Sequence, residues 1–304
     1  MATWMANGGW RMADGVRRRA FLFAGLLVLA VPAPAYESVL YEKQSAYSSI
    51  VVTDEGDGTR ALRFGRNGVR QSLVKLGDPE YLGLAYTRVA LAGLGLCDDV
   101  RRVLVVGLGG GTLPAFLRRH YPDAEIDAVD IDPEVAVAAK EYLGFREDAR
   151  MRIHIADGRK FIEAVRQPYD VIFLDAFGPD AVPAHLTTQE FLRAVRRAVT
   201  PGGVVIGNIW DRGYNRLYDS MVRTYRDVFD DLYVVAVADS GNRILLALPR
   251  QQTLARGELA RLVRGSDAAR RFRYDMGDLV ERGFLPQDGD TRGGSVLRDP
   301  APKN

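Results

Sequence analysis

Residues 103–114 read VLVVGLGGGTLP, an apolar strand-like run that enters a glycine turn and then a helix. The turn holds Gly107, Gly109 and Gly111. Glycine lets a backbone bend sharply and approach a ligand closely, and the amides of such a turn face that ligand. A pyrophosphate cradle of the G-x-G-x-x-G type needs a further glycine at 112, where the chain has Thr112. The G-x-G-x-G that stands suits a nucleoside without a pyrophosphate. In IDAVDIDP, nineteen residues after Gly111, Asp130 ends the next apolar run, where a carboxylate can accept both hydroxyl protons of a ribose. Asp132, followed by Pro133, reads as a helix cap.

Two more acids end apolar runs. In IHIADGRKF, Asp157-Gly158 either accepts the exocyclic amine of an adenine or caps the helix that follows, and the residues leave both open. In YDVIFLD, Asp175 comes to lie beside the glycine turn if the sheet is doubly wound, because ligands bind where strand order reverses. Asp175 is therefore expected to face the reacting centre. Thr187 with Glu190 reads as a capping box, and His185, on a loop with no visible partner, reads as solvated. Three widely spaced histidines and a lone Cys97 predict no metal site and exclude an intrachain disulfide.

These residues need a scaffold that gathers strand ends. Strands are predicted at Val103–Val106, Glu125–Ile131, Met151–Ala156, Tyr169–Leu174, Gly203–Asn208, Leu232–Val237 and Arg243–Leu248. Helices are predicted at Leu113–Tyr121, Pro133–Tyr142, Arg159–Arg166, Thr188–Val199 and Tyr214–Phe229. The alternation specifies an α/β fold, a doubly wound and mostly parallel seven-stranded sheet with helices on both faces. Only ADSGN separates the last two strands, so they form an antiparallel hairpin. Upstream, ESVLYE, SIVVTD and RALRFG, separated by EGDG and RNG, predict a small antiparallel sheet. A helix is expected from Pro79 through Leu91. The organisation read from these signals is a β-hairpin domain at 36–78, a nucleoside-binding domain at 79–250, a helical extension at 251–284 and a tail at 285–304. That tail is rich in Gly, Pro, Asp and Arg and is expected to be disordered.

Over 304 residues, 47% are apolar and 26% charged, a globular balance that excludes a wholly disordered, collagen-like or coiled-coil chain. The net charge of +2 is uneven: residues 1–35 carry +3, leaving −1 on the rest and no basic field for nucleic acid. Arg17, Arg18 and Arg19 precede the apolar run Ala20–Val31 and then Pro32-Ala33-Pro34-Ala35, which reads as a secretory signal peptide over 1–35. RRAFLF resembles a twin-arginine export signal. An exported, periplasmic protein with no membrane span after processing is expected, with an anchored or cytoplasmic protein as the alternative. The apolar run, twelve residues, is short for a bilayer.

VLVVGLGGGTLP, IDAVDIDP, IHIADGRKF, YDVIFLDAFGPDAVPAHLTTQEF and VTPGG, in that order and spacing, resemble the spermidine synthase family, with SAYSSIVV and GVRQS standing in its N-terminal sheet. The resemblance implies the Rossmann-like fold of S-adenosylmethionine-dependent transferases. It also implies a nucleoside-sulfonium co-substrate, decarboxylated S-adenosylmethionine or S-adenosylmethionine itself, with no tightly bound cofactor. Residue by residue, Asp130 matches the ribose-binding acid, Asp157 and Gly158 the adenine site, and Asp175 the proton acceptor. Pro183 lies one residue out of register with the proline that borders the adenine. Aminopropyl transfer to a small amine or polyamine is then the expected reaction, a protein acceptor being the alternative, and a homodimer the expected assembly.

The chain also departs from that family. Gly110 and Gly178 stand where the family has acids that hold ammonium groups, and burying an ammonium without a carboxylate costs several kcal/mol. Putrescine is therefore expected to be a poor acceptor unless Asp180, Asp211 or Asp239 compensates. GLGGG and HIADG are shared as well with the C-terminal domain of the animal dual methyltransferase acting on translation elongation factor 1A. Methyl transfer, with the turn amides holding the carboxylate of intact S-adenosylmethionine, is the second reading. A non-catalytic nucleoside or polyamine binding protein is the third.

Overall fold

The computed structural model describes residues 38–178, 181–286 and 293–301, so the signal-peptide reading and Asp180 lie outside the described residues. Seven strands of the large sheet follow the expected runs: β5 (Arg102–Val106), β6 (Glu125–Asp130), β7 (Met151–Ile155), β8 (Tyr169–Leu174), β9 (Val199–Trp210), β10 (Asp231–Ala236) and β11 (Asn242–Leu248). The two-residue β12 (Phe284–Leu285) adds an eighth at the edge, giving the order β12-β10-β11-β9-β8-β5-β6-β7. Strands β9, β8, β5, β6 and β7 are mutually parallel, and β10 and β11 form the expected antiparallel hairpin. The chain runs outward from β5 through β6 to β7 and then returns to the other side of β5 as β8. The reversal opens a crevice above the carboxyl ends of β5 and β8.

Two-residue periodicity explains the layers. In β5, Val103 and Val105 point into one core and Leu104 and Val106 into another; in β8, Val171 and Phe173 oppose Ile172 in the same way. The first core is closed by α1 (Ala85–Leu91), α2 (Thr112–His120), α3 (Pro133–Glu141) and α7 (Arg256–Gly265), together with α8 (Asp267–Arg271) and α9 (Met276–Gly283). The second is closed by α4 (Gly158–Glu163), α5 (Gln189–Ala198) and α6 (Tyr218–Val228).

The expected small sheet is a four-stranded antiparallel meander, β1 (Ser38–Gln44), β2 (Ser49–Gly56), β3 (Thr59–Phe64) and β4 (Arg70–Lys75). Ile50, Val52 and Leu62 join the first core. Polar contacts fix the sheet over α3 and the glycine turn: Tyr41 Oη donates to Glu134 at 2.6 Å and Ser45 Oγ to Asp132 at 2.5 Å.

Three local expectations are corrected. The helix begins at Ala85 rather than Pro79, because Asp78-Pro79-Glu80-Tyr81 is a turn: the Asp78 carboxylate accepts from Glu80 N and its carbonyl from Tyr81 N. The cap of α5 is Thr188, which accepts from Phe191 N, while Thr187 donates back to the Ala184 carbonyl and Glu190 accepts from Asp299 N. Disorder from Leu285 onward is contradicted at both described parts of that stretch. Leu285 pairs with Val234 in the sheet. Further on, Leu297 packs against the second core, its carbonyl accepts from Gln189 N at 2.8 Å, and Asp299 meets Arg159 at 2.5 Å. One apolar side chain with a slot to fill and one acid with a matching arginine order a segment whose composition reads as coil.

Candidate active site

A cavity of about 880 Å³ lies over the carboxyl ends of β5, β6 and β8 and reaches β9 and the β10–β11 turn. Gly107, Gly109, Asp130, Asp157, Gly158, Asp175 and Pro183 all line it. Gly111 does not. It sits behind the turn at φ +76°, where an added Cβ would lie 2.3 Å from the Phe145 ring, so its role is to let the turn enter α2. Gly107, at φ +99°, lets the chain after β8 close in: a Cβ there would meet the Asp175 carbonyl at 2.3 Å.

Four of the five amides of the turn are spent on the protein itself. Gly107 N donates to the Val129 carbonyl at 2.8 Å and Gly111 N to the Leu108 carbonyl at 2.9 Å. Leu108 N donates to Asp130 Oδ2 at 2.9 Å, and the Gly109 amide adds to the pull on that carboxylate. Gly110 N donates to Ser72 Oγ of β4 at 2.7 Å. A side chain at 110 would be tight, since a Cβ would lie 3.0 Å from Ser72 Cβ and Ser72 would have to give way by a few tenths of an ångström. The buried hydroxyl of Thr112 on the cavity wall has no partner among the described residues.

Asp130 also accepts from Asp132 N at 3.0 Å, and Asp132 is the cap of α3, as expected. Burial pushes the Asp130 carboxyl above its ordinary range against the pull of the amides of Asp132, Leu108 and Gly109, with the neighbouring Asp132 charge adding to the rise. Asp157 does both things the residues left open: it caps α4 through Lys160 N at 3.0 Å and it faces the cavity. His185 is exposed, as expected, but it does have a partner: its Nε2 lies 2.9 Å from Asp157 Oδ2 at the rim of the cavity. Burial opposes ionisation of Asp157, but the Lys160 amide and the His185 ring outweigh it and hold its carboxyl below the ordinary range.

Asp175 hangs at the end of β8 with both oxygens engaged. Oδ1 accepts from Asn208 Nδ2 of β9 at 2.8 Å and Oδ2 from Tyr86 Oη of α1 at 2.9 Å. Burial lifts its carboxyl to about 6 even though both hydrogen bonds favour the ionised form. The same burial, with the Asp175 charge beside it, drives the Tyr86 phenol well above its ordinary value, so it stays a donor. Sequence reasoning missed Tyr86, Asn208 and Ser72. Only Asn208 carried a signal: it is a polar residue, 5% exposed, inside the apolar strand VVIGNIW.

The charge balance of the wall is acidic. Asp130, Asp132, Asp157, Asp175 and Asp239 line it, and the one arginine among the described lining residues, Arg70, is paired with Glu55. Asp211, offered as a compensating acid, is bound by Arg243 at 3.0 Å, whereas the Asp239 side chain makes no hydrogen bond among the described residues. Phe177 and Trp210, with ring centroids 5.4 Å apart, wall the side beyond Asn208. Among the described residues no three His, Cys, Asp or Glu side chains gather as a metal site, and no helix is long and apolar enough to cross a membrane.

Residues 84–237 match the family model described as the spermine/spermidine synthase domain. A polyamine aminopropyltransferase of Vibrio vulnificus (strain CMCP6) is 36% identical over 245 residues, 77% of this chain and 81% of the relative. A human eEF1A lysine and N-terminal methyltransferase is 37% identical over 202 residues, 60% of this chain but 29% of that protein. Among solved structures, a probable spermidine synthase from Corynebacterium glutamicum ATCC 13032 superposes with a TM-score of 0.66 at 23% identity, over 86% of this chain and 96% of that one. That likeness shows the shared fold, a small antiparallel sheet in front of a mostly parallel one.

Proposed function

The chain belongs to the spermine/spermidine synthase family, and from that premise we propose that it transfers the aminopropyl group of decarboxylated S-adenosylmethionine to a small amine or polyamine. One observation carries the choice of donor. Four of the five amides of the glycine turn are bonded within the protein, the fifth, that of Gly109, adds to the pull on the Asp130 carboxylate, and among the described residues the one arginine on the cavity wall is paired. A donor with a carboxylate meets turn amides already drawn to Asp130, Ser72 and backbone carbonyls and, among the described residues, no unpaired arginine, while one without it brings only positive charge to an acidic wall.

In this reading Asp130 accepts the ribose hydroxyls, and Asp157 and His185 border the nucleobase with Gly158 and Pro183. An alkylammonium, ordinarily near ~10.4, is protonated and non-nucleophilic at neutral pH, and enclosure beside apolar and aromatic walls lowers that value. Asp175 takes the proton as the amine nitrogen attacks the carbon next to the sulfonium. The new N–C bond forms as the C–S bond breaks, and methylthioadenosine leaves neutral. Tyr86 and Asn208 hold the carboxylate in place for that step. Putrescine remains an expected poor acceptor, since Gly110 and Gly178 carry no acid; Asp239 on the cavity wall favours an acceptor with a further ammonium.

Methyl transfer is the rival, supported by the human methyltransferase relative. The order of affinities separates the readings when residues 36–304 are titrated calorimetrically with decarboxylated S-adenosylmethionine, S-adenosylmethionine and methylthioadenosine. Tighter binding of the decarboxylated form supports aminopropyl transfer, and tighter binding of intact S-adenosylmethionine overturns it. The export address belongs to the same proposal, supported by Arg17–Arg19 and the apolar run after them, and a homodimer is the proposed assembly.

A further inference from the structure

The hydrogen bonds on one side of Asp175 continue outward through the sheet. Asn208 Nδ2 donates to Asp175 Oδ1 at 2.8 Å, Asn208 Oδ1 accepts from Asn242 Nδ2 at 2.9 Å, and Asn242 Oδ1 accepts from Ser240 Oγ at 2.5 Å. Asn242 opens β11 and pairs with Trp210 across the β9–β11 ladder, and Ser240 lies in the turn before it. The chain of bonds has a direction. An ionised carboxylate only accepts, so Asn208 must turn its NH2 toward Asp175 and its carbonyl away, and that carbonyl then requires a donor. Asn242 is that donor.

We infer that Asn242 is a positioning residue for Asp175: acting through Asn208, it locks the amide with NH2 toward the carboxylate and so directs an incoming proton to Oδ2, on the Tyr86 side. A proton on Oδ1 would face the Asn208 NH2, two donors head to head. A proton on Oδ2 faces a hydroxyl, which can rotate and accept. The inference rests on the reading of Asp175 as proton acceptor only for its consequence in turnover; the relay stands on the four side chains. Few other groups face Asp175. Tyr86 is the titratable group from α1, β9 contributes neutral Asn208, and the glycine turn and residues 176–178 contribute no charge. Asp130, Asp157, His185 and Asp239 share the cavity, and the Arg243 guanidinium is spent on Asp211 and on the carbonyls of Ser240 and Asn242.

The test is a carbon-13 NMR titration of the Asp175 carboxyl in the full chain without substrate, the signal being assigned by its loss in Asp175→Asn. We expect Asn242→Ala to raise the midpoint by about one pH unit, since the remaining amide no longer holds its orientation. Asn208→Ala raises it at least as much, and the double variant no further than Asn208→Ala alone. Asn242→Asp, a small change at the start of the strand, places an acceptor-only group against Asn208 and raises the midpoint beyond Asn242→Ala. An unmoved midpoint in both Asn242 variants, or additive shifts in the double variant, overturns the relay. The pH–rate profile with decarboxylated S-adenosylmethionine and spermidine is read in parallel. An acid limb that moves with the midpoint supports both claims; a midpoint that moves under a fixed acid limb keeps the relay and overturns Asp175 as the proton acceptor.

Discussion

Replacing Asp175 by asparagine is expected to strengthen the fold while ending transfer. Burial holds the carboxyl at about 6 against an ordinary 3.8, so the folded protein keeps a charge there at neutral pH at a cost. A gap of about two pH units corresponds to about 3 kcal/mol, and water in the open cavity reduces it, so about 1–3 kcal/mol is expected. The amide of Asp175→Asn loses no bonding, because its oxygen still accepts from Asn208 and its NH2 can donate to the Tyr86 hydroxyl. In a body of this size the gain corresponds to a rise of about 2–10 °C in Tm at pH 8. The sign with pH follows from the raised value. Between about 4 and 6 the folded state binds a proton that the unfolded state has released, so wild-type stability falls as pH rises through that window and the variant's does not. The advantage of Asp175→Asn should therefore be full above pH 7 and fade as pH falls toward 4. Scanning calorimetry of both proteins at pH 5 and pH 8 reads it. A wild type more stable than the variant at pH 8, or a difference that ignores pH, would refute the assignment of Asp175 as a carboxylate held ionised against its surroundings.

Asp130→Ala removes two charge-assisted ribose contacts and should cost about 2–4 kcal/mol in methylthioadenosine binding by calorimetry; unchanged affinity takes Asp130 out of the site. Ser72→Ala leaves the Gly110 amide without its partner, which should lower stability by about 1–2 kcal/mol and shift preference from methylthioadenosine toward S-adenosylhomocysteine, whose carboxylate can accept from it. An unchanged ratio of the two affinities would break the link between occupied turn amides and donor choice. Protein made in its native host should show by mass spectrometry an amino terminus near Tyr36, and an intact terminus in the soluble cytoplasmic fraction would end the export proposal.

The parts legible in the sequence are those fixed by local rules. Val103–Val106 and Tyr169–Leu174 carry their pattern with them, and a glycine turn or an acid at the end of such a run lands at the sheet's carboxyl edge wherever the strands are placed. Asp132 as a cap and Asp175 beside the turn follow from the same rules. What stayed hidden depends on register between distant elements. Tyr86 meets Asp175 across 89 residues, Ser72 meets Gly110 across 38, and Asn242 meets Asn208 only because of the β9–β11 ladder. The false helix at Pro79 had a local signal that was outweighed, since Asp-Pro opens turns, and the ordered tail depends on Leu297 and Asp299 finding partners set by other elements.

The central claim is which group leaves the sulfonium. Mass spectrometry of a reaction containing the full chain, both sulfonium donors, and a mixture of putrescine, spermidine and longer amines reads it in one measurement. Aminopropyl transfer predicts methylthioadenosine and an acceptor heavier by one aminopropyl unit, formed from the decarboxylated donor and absent with Asp175→Asn. S-adenosylhomocysteine and a methylated acceptor, with no methylthioadenosine, would contradict it.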